Sequence, residues 1–217
     1  MVINMNKNDL EFYGSNMLYY ESALIELVSR LDIIRKYLLN KKGRDPIENI
    51  KTRIKSADSM IAKLTLHGLE PVVESINGNI YDTAGARVIC TYVDDVYEVA
   101  RILRSHDDIE VIEEKDYIKH PKPSGYRSYH MIVKLPIYIG DEYKQVFTEI
   151  QIRTLSMDFW ASLEHKIRYK HDVPNQAIVA SELKRCADEV ASIEMNFITI
   201  RDMIKAITGE DHETKNT

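Results

Sequence analysis

The amino-acid sequence predicts an α/β protein in which helices flank a mixed β-sheet. Residues 146–153 (VFTEIQIR) alternate between apolar and polar side chains with a period of two, which is typical of a strand with one face on a core. The short apolar run at 86–92 is typical of a buried strand. Long segments at both ends of the chain repeat apolar residues at alternating intervals of three and four, which indicates helices. Both periodicities in one chain give the α/β class.

The first predicted helix begins near Asn8 or Asp9, either of which can cap it, and ends before Gly43 and Pro46. Its apolar stripe consists of Leu10, Tyr13, Met17, Tyr20, Leu24, Leu27, Leu31, Ile34 and Leu38. Such a stripe predicts a helix that packs along its whole length. After it, residues 46–55 are predicted to be part extended, and Ser56 caps a second helix that ends near Gly68.

The middle of the chain alternates between strands, one helix and a loop. The predicted strands are 86–92, 109–112, 128–136 and 143–153. Asp94 is predicted to cap a helix between the first two, and Gly140 lies in the turn that makes the last two an antiparallel pair. Two prolines and a glycine make 115–126 a loop.

Two further helices are predicted after the last strand. Thr154 caps the first, which runs to about residue 171 with Phe159, Leu163 and Ile167 as its buried stripe. The second spans about 177–207, and its stripe consists of Leu183, Cys186, Val190, Ile193, Phe197, Ile200, Ile204 and Ile207. We therefore divide the chain into an N-terminal helix at 1–45, an α/β core at 46–172, a C-terminal helix at 173–208 and a disordered polar tail at 209–217.

Composition limits the possible classes of protein. The 217 residues are 44% hydrophobic, which is enough for a core, and the net charge of −5 is not typical of a DNA-binding protein. That charge also gives no support to single-stranded RNA as a partner. Two cysteines without C-x-x-C spacing indicate a reducing compartment. No apolar run reaches the ~18 residues of a membrane span, so we expect a cytoplasmic protein with no membrane partner.

Two carboxylates are candidates for a magnesium site. Asp82 precedes the buried strand at 86–92, and Glu149 lies on the polar face of the strand at 143–153, with Gln151 about 7 Å further along that face. Carboxylates from neighbouring strands can hold Mg²⁺ when substrate phosphates complete its shell. The alternative is a turn aspartate together with an exposed glutamate.

Several cations could bind a polyphosphate or a base. Arg53 and Lys55 share a side of an extended segment, and Lys63 follows on the next helix, although a solvated face would explain all three. Arg87 lies in an otherwise apolar strand and needs either an ion-pair partner or a stacking plane. The loop that carries Tyr126 is basic, so its ring could stack on a base or could belong to an ordinary loop tyrosine.

Three histidines have simpler explanations. His130 follows that loop on a strand, where a histidine is more commonly hydrogen-bonded within the core. His106-Asp107-Asp108 and His171-Asp172 resemble fragments of a metal-dependent phosphohydrolase. Neither has further ligands at a suitable spacing, so we interpret both as polar helix ends.

Five motifs, in order, resemble those of the RelA/SpoT-type alarmone synthetases, and the length points to the small single-domain members. They are RIK (53–55), YDTAGARV (81–88), HPKPSGYRSYH (120–130), EIQIRT (149–154) and FWASLEHK (159–166). The resemblance implies a nucleotidyltransferase-like fold. It also implies transfer of pyrophosphate from ATP to the 3′-hydroxyl of GDP or GTP, with Mg²⁺ as cofactor and ppGpp or pppGpp and AMP as products.

The resemblance also implies roles for individual residues. Asp82 and Glu149 would bind the metal, and Glu149 would help to deprotonate the 3′-hydroxyl. The other assigned residues bind ATP (Arg53, Lys55, Lys63 and Arg87) or the acceptor guanine nucleotide (Lys122, Tyr126, His130 and Gln151). Within these groups, Arg53 and Arg87 would enclose the adenine and Tyr126 would stack on the guanine.

The family further implies a homotetramer, which the two helical stripes support in part, because both terminal helices carry more apolar surface than one partner would cover. Val28 and Asp32 stand where alarmone-binding tetramers have basic residues, and Asn49 replaces an aromatic residue, so alarmone activation is not implied. Two alternative functions remain. The first is a pyrophosphokinase that acts on RNA ends, and the second is a non-catalytic module that binds guanine nucleotides or single-stranded RNA.

Overall fold

A computed structural model of the protein describes residues 7–169 and 176–208. The elements are α1 Lys7–Tyr13, α2 Asn16–Lys42, β1 Ile47–Ile54, α3 Ala57–Leu66, β2 Ala84–Cys90, α4 Val93–Arg104, β3 Glu110–Asp116, β4 Tyr129–Ile139, β5 Glu142–Thr154, α5 Leu155–Tyr169 and α6 Gln176–Thr208. A short 3₁₀ turn lies at Val73–Ile76. The predicted α/β class is therefore confirmed, with β1 as a complete strand where the sequence predicted only a partly extended segment.

One five-stranded mixed sheet has the strand order β1-β2-β5-β4-β3. The central strands β2 and β5 are parallel, and the other neighbours are antiparallel. In this register Gly85 pairs with Glu149, and Gln151 lies between Arg87 on β2 and His130 on β4. Polar residues that are far apart in the sequence are thus neighbours across the middle of the sheet.

Helix α2 packs across the sheet through its predicted stripe, which is buried from Met17 to Leu38. The helix is interrupted before that point, however. Gly14 adopts a positive φ of 52° and separates α1 from α2, and Leu10 is exposed. The prediction of one continuous N-terminal helix was wrong because a left-handed glycine ends α1 after two turns.

Two smaller boundaries also differ from the sequence-based expectation. The carboxylate that caps α4 belongs to Asp95, which accepts a hydrogen bond from the backbone N–H of Tyr92 at 3.3 Å, and not to Asp94. Asp95 is buried and pairs with Lys42 and Arg44, so the inner of the two aspartates serves both the cap and the ion pairs. Strand β3 extends to Asp116, so the predicted loop begins two residues later than expected.

The predicted stripes of the last two helices are on the wrong faces. Phe159, Leu163 and Ile167 are 60%, 42% and 41% exposed, and α5 instead buries Met157 and Trp160. On α6, the exposed members of the predicted stripe are Cys186, Ile193, Phe197, Ile200, Ile204 and Ile207. The buried members of α6 are Ala187 and Glu194, and α6 packs against α5 while α2 packs against the sheet. Apolar periodicity failed here because polar contacts orient α6.

No helix in the two described ranges is long and apolar enough to cross a bilayer. Of the two His-Asp fragments, the first lies just after α4, where Asp108 forms an ion pair with Arg30. The second, at 171–172, and the predicted disordered tail at 209–217 lie outside the described residues.

Candidate active site

Asp82 lies two residues before β2, at the mouth of that strand as the sequence predicted. The ammonium groups of Lys55 and Lys63 each lie 2.8 Å from its Oδ2 atom. Lys55 is held there because its backbone N–H donates to the carbonyl of Thr83 at 2.8 Å. Burial raises the pKa of Asp82, but hydrogen bonds from both lysines outweigh it, and the net pKa is below the usual range.

Glu149 projects from the middle of β5 and has a different set of partners. Its Oε1 atom lies 3.1 Å from Nδ1 of His130, and its Oε2 accepts a hydrogen bond from Gln151 Nε2 at 3.0 Å. Burial raises the pKa of Glu149, and the nearby charge of Asp82 adds to that, but the hydrogen bond and charge of His130 lower it below its usual range overall. Glu149 is therefore an ionised carboxylate at neutral pH.

The two carboxylates fit a magnesium ion whose remaining ligands are oxygens of a polyphosphate. Asp82 Oδ1 is buried and has no hydrogen-bond partner among the residues that the structure describes, which leaves one carboxylate oxygen for a cation. Within the described part of the chain no group of three or more His, Cys, Asp or Glu could form a complete metal site. Mg²⁺ is commonly bound by one or two carboxylates plus substrate phosphates, so such a complete cage is not needed.

Tyr126 belongs to a hydrogen-bonded chain that ends at Glu149. Its hydroxyl accepts from Arg153 Nη2 at 2.5 Å and lies 2.8 Å from His130 Nε2, while Nδ1 of the same histidine contacts Glu149. Lys122 lies over the Tyr126 ring, 5.1 Å from its centroid. His130 is thus hydrogen-bonded, as the sequence suggested, but its partners are other candidate site residues.

The arginines line an open cleft of about 520 Å³ on the same side of the sheet. Its walls consist of Arg53, Arg87, Tyr126, Gln151, Arg153, Ala161, Ser162, Glu164, His165 and Lys166. Arg87 Nη1 lies 3.2 Å from Asp158 Oδ1 and forms an ion pair with it. The sequence had left open whether Arg87 pairs with a carboxylate or stacks on a plane. Its Nε atom is buried and has no hydrogen-bond partner among the described residues, and the pKa of Arg87 is lowered by burial and then by the charge of Arg153. The Arg87 side chain is 32% exposed, so part of its guanidinium can reach a ligand in the cleft.

Arg153 is the main site residue that the sequence analysis missed. It is 5% exposed and donates to Tyr126, to Gln151 Oε1 at 2.9 Å and to Asp158 Oδ1 at 3.3 Å. Its signal was present, because Arg153 continues the polar face of β5 after Glu149 and Gln151. The candidates thus form three adjoining groups: Asp82 with Lys55 and Lys63; Glu149 with His130, Gln151, Tyr126 and Lys122; and Arg53 with Arg87 in the cleft.

Cations, two half-buried carboxylates and an arginine-lined cleft on one sheet define a protein suited to polyanionic ligands. Residues 52–174 match the family described as the region found in RelA/SpoT proteins. The chain is 40% identical over 197 residues to the GTP pyrophosphokinase YwaC of Bacillus subtilis, covering 90% of this chain and 93% of that protein. This chain belongs to the RelA/SpoT family, as its motifs suggested.

Solved structures place the chain among relatives of similar size. The small alarmone synthetase 2 of B. subtilis superposes with a TM-score of 0.78 at 39% identity, covering 88% of this chain and 98% of that one. The small alarmone synthetase 1 of the same organism, in a structure bound to its product pppGpp, gives a TM-score of 0.76 at 34% identity, covering 89% and 95%. The fold of these synthetases is therefore the fold of this chain.

Proposed function

We propose that this protein is a GTP/GDP pyrophosphokinase that transfers pyrophosphate from ATP to the 3′-hydroxyl of GDP or GTP. The observation that carries the proposal is the pair Asp82 and Glu149, brought together by the parallel strands β2 and β5, with two lysines on one oxygen of Asp82. Similarity to proteins named GTP pyrophosphokinase supports it.

Asp82 and Glu149 would hold Mg²⁺, which supplies positive charge to the phosphate oxygens. Lys55 and Lys63 leave Asp82 to bind phosphates of ATP, because a polyphosphate offers both ammonium groups more negative charge than one carboxylate. The 3′-oxygen of the acceptor attacks the β-phosphorus of ATP and forms a new P–O bond. The bond from that phosphorus to the oxygen bridging to the α-phosphate breaks, and AMP leaves.

Glu149 takes the proton of the attacking hydroxyl. Its lowered pKa makes it ionised and able to accept at neutral pH, and its bond to His130 fixes the direction of the carboxylate. Positioning is the larger part of catalysis here, since phosphoryl transfer needs alignment and charge more than covalent help.

The remaining residues divide between donor and acceptor. Arg53 and Arg87 enclose the adenine of ATP, because both line the cleft and a guanidinium can stack on a base. Tyr126 stacks on the acceptor guanine, Lys122 binds its phosphates, and His130 and Gln151 complete the acceptor side. These nucleotides are abundant in the cytoplasm, the compartment that the two free cysteines also suggest.

Self-association forms part of the proposal. Apolar side chains remain exposed on α2, α5 and α6, including Ile33, Phe159 and Phe197. Apolar surface left exposed on three helices is a candidate interface. We expect a closed homo-oligomer formed through the terminal helices, and the number four comes from the family resemblance.

The experiment that tests this function is an assay with labelled ATP and, separately, GDP, GTP, GMP and an RNA with a 3′-terminal guanosine. Synthesis of a 3′-pyrophosphorylated nucleotide with equimolar AMP is expected for GDP or GTP, and none for Glu149→Gln. Transfer to the RNA alone would favour an enzyme of RNA ends. Binding of nucleotides without any transfer would favour a non-catalytic module.

A further inference from the structure

The helix α6 packs tightly against the loop that carries Tyr126, with Ala187 and Lys184 of the helix next to Gly125 of the loop. Gly125 has a φ of 88°, and a Cβ added there would lie 2.6 Å from the Cβ of Ala187 and 3.4 Å from the Cα of Lys184. Atoms that close cannot coexist, so the loop and the helix fit only because both residues are small. The neighbour of Gly125 is the tyrosine whose ring lines the cleft.

Charged side chains hold the same junction from both sides. Arg127 Nη2 lies 3.5 Å from Asp188 Oδ1 on α6. One turn and a half further along, Glu194 is only 9% exposed, and the hydroxyls of Thr154 and Ser156, where β5 passes into α5, lower its pKa against the larger effect of burial. Arg127 and Glu194 line a small cavity at this junction, so the loop, α5 and α6 meet there.

The rest of α6 is anchored along the same face. The indole Nε1 of Trp160 donates to the carbonyl of Leu183 at 3.0 Å, and Arg201 pairs with Asp94 at 2.9 Å and stacks on the ring of Tyr92. Ala187, Glu194 and Arg201 are spaced by seven residues, so they form one line down the helix. The contacts along this line orient α6 so that its apolar stripe faces away from the rest of the described chain.

We propose that α6 positions the loop at 117–128 between β3 and β4, which we call the acceptor loop. Ala187 is a positioning residue that sets the place of Gly125 and therefore of Tyr126. The inference rests on the proposed function, since Tyr126 is taken to bind the guanine of the acceptor. Ala187 meets the loop directly at Gly125, whereas α6 reaches the cleft of Arg53 and Arg87 through its packing on α5, so a change at Ala187 is expected to affect the acceptor first and ATP less. If α6 shifts along the line of Ala187, Glu194 and Arg201, the loop shifts with it. The affinity for the acceptor then changes more than the affinity for ATP.

Calorimetry with GDP and with a non-hydrolysable ATP analogue, each at saturating Mg²⁺, separates these effects. Ala187→Leu is expected to weaken GDP binding about tenfold, because the larger side chain displaces Gly125. ATP-analogue binding should change by no more than about twofold. The matched control is Ala206→Leu, an exposed position on the same helix, which should leave both affinities unchanged.

A second pair of variants keeps the test decisive if Ala187→Leu fails to fold. Gly125→Ala is expected to lose GDP affinity, and Gly125→Ala with Ala187→Gly should recover part of it, because the 2.6 Å clash is gone. Gly140→Ala is the control for backbone strain, since Gly140 also has a positive φ but meets no atom within 4 Å. Its GDP affinity should equal that of the unchanged protein.

Unchanged GDP affinity in both Ala187→Leu and Gly125→Ala would overturn the positioning role. Equal losses for GDP and the ATP analogue would do so as well, because they indicate general damage to the fold. Failure of the unchanged protein to bind GDP at all would instead overturn the proposed function, so the two failures are distinguishable.

Discussion

Lys55 and Lys63 converge on one oxygen of a single carboxylate, Asp82 Oδ2, and both are 2.8 Å from it. Two ammonium groups so close together repel each other, and only the negative charge between them makes the arrangement favourable. The other oxygen of the same carboxylate has no hydrogen-bond partner within the described ranges 7–169 and 176–208. Asp82 thus holds both lysines together, on the side of the site where we propose that the phosphates of ATP bind.

Asp82→Asn should lower the rate of synthesis at saturating Mg²⁺ on the order of 100-fold or more. The amide cannot supply the charge that a cation needs, and it leaves the two lysines to repel each other. Rates of AMP release and circular dichroism, measured on the same samples, separate lost chemistry from lost fold. Asp107→Asn, at an exposed position after α4, is the control and should keep full activity. Near-normal synthesis by the Asp82 variant would show that the metal is held elsewhere.

Tyr126→Ala should weaken guanine-nucleotide binding by about 1–3 kcal/mol, the usual contribution of a base stacked on an aromatic ring. The loss is therefore tenfold or more, and ATP binding should change much less. Tyr126→Phe keeps the ring but loses the hydroxyl bonds to Arg153 and His130, so its loss should be smaller. Calorimetry decides between these roles. Similar losses in the Phe and Ala variants would assign the effect to the hydroxyl.

His130→Ala should move the acid limb of the pH–rate profile to higher pH. Burial and the charge of Asp82 raise the pKa of Glu149, and His130 is what brings it down. Without the histidine, the carboxylate accepts a proton at higher pH and ceases to be a base as the pH falls through that raised value. His67→Ala, at the exposed end of α3, is the control. An acid limb at the same pH in both variants would mean that Glu149 is not the group that titrates.

Ile33→Glu on α2 and Phe197→Glu on α6 should each reduce the mass of the purified protein measured by light scattering. Both side chains are exposed within one chain, so a new charge costs little there unless a second chain covers it. Asn196→Glu, beside Phe197 on the helix, should leave the mass unchanged. A mass of one chain for the unchanged protein at micromolar concentration would contradict the expected oligomer.

Local patterns in the sequence were sufficient for most of the fold. The alternation at 146–153 places Val146, Thr148, Ile150 and Ile152 on the buried face of β5 as predicted. Strand order was not accessible in this way, because pairing of β2 with β5 depends on contacts between distant segments. The paired carboxylates could be predicted since each stands at a recognisable strand position, Asp82 before β2 and Glu149 on β5.

The orientation of α6 shows where local patterns fail. Its most apolar face was expected to be buried, yet Glu194 and Arg201 face inward because each finds specific partners on α5 and α4. A buried polar residue that is fully paired can compete with an apolar stripe, and nothing within the helix reveals those partners. The position of Arg153 on the polar face of β5 was visible in the sequence, but its contacts with Asp158 and Tyr126 were not.

The short helix α1 limits where this enzyme can be cut to make a fragment or a chimera. Tyr13 donates a hydrogen bond to the backbone carbonyl of Lys55 at 2.7 Å, and Asp9 accepts one from the backbone N–H of Ala57 at 2.8 Å. The family region begins only at residue 52, so Asp9 and Tyr13, which hold the backbone around Lys55, lie outside it. A fragment or chimera cut at residue 52 would keep all five sequence motifs and lose the hydrogen bonds that Tyr13 and Asp9 make beside Lys55. The region that matches the family is therefore smaller than the unit that must be transplanted intact.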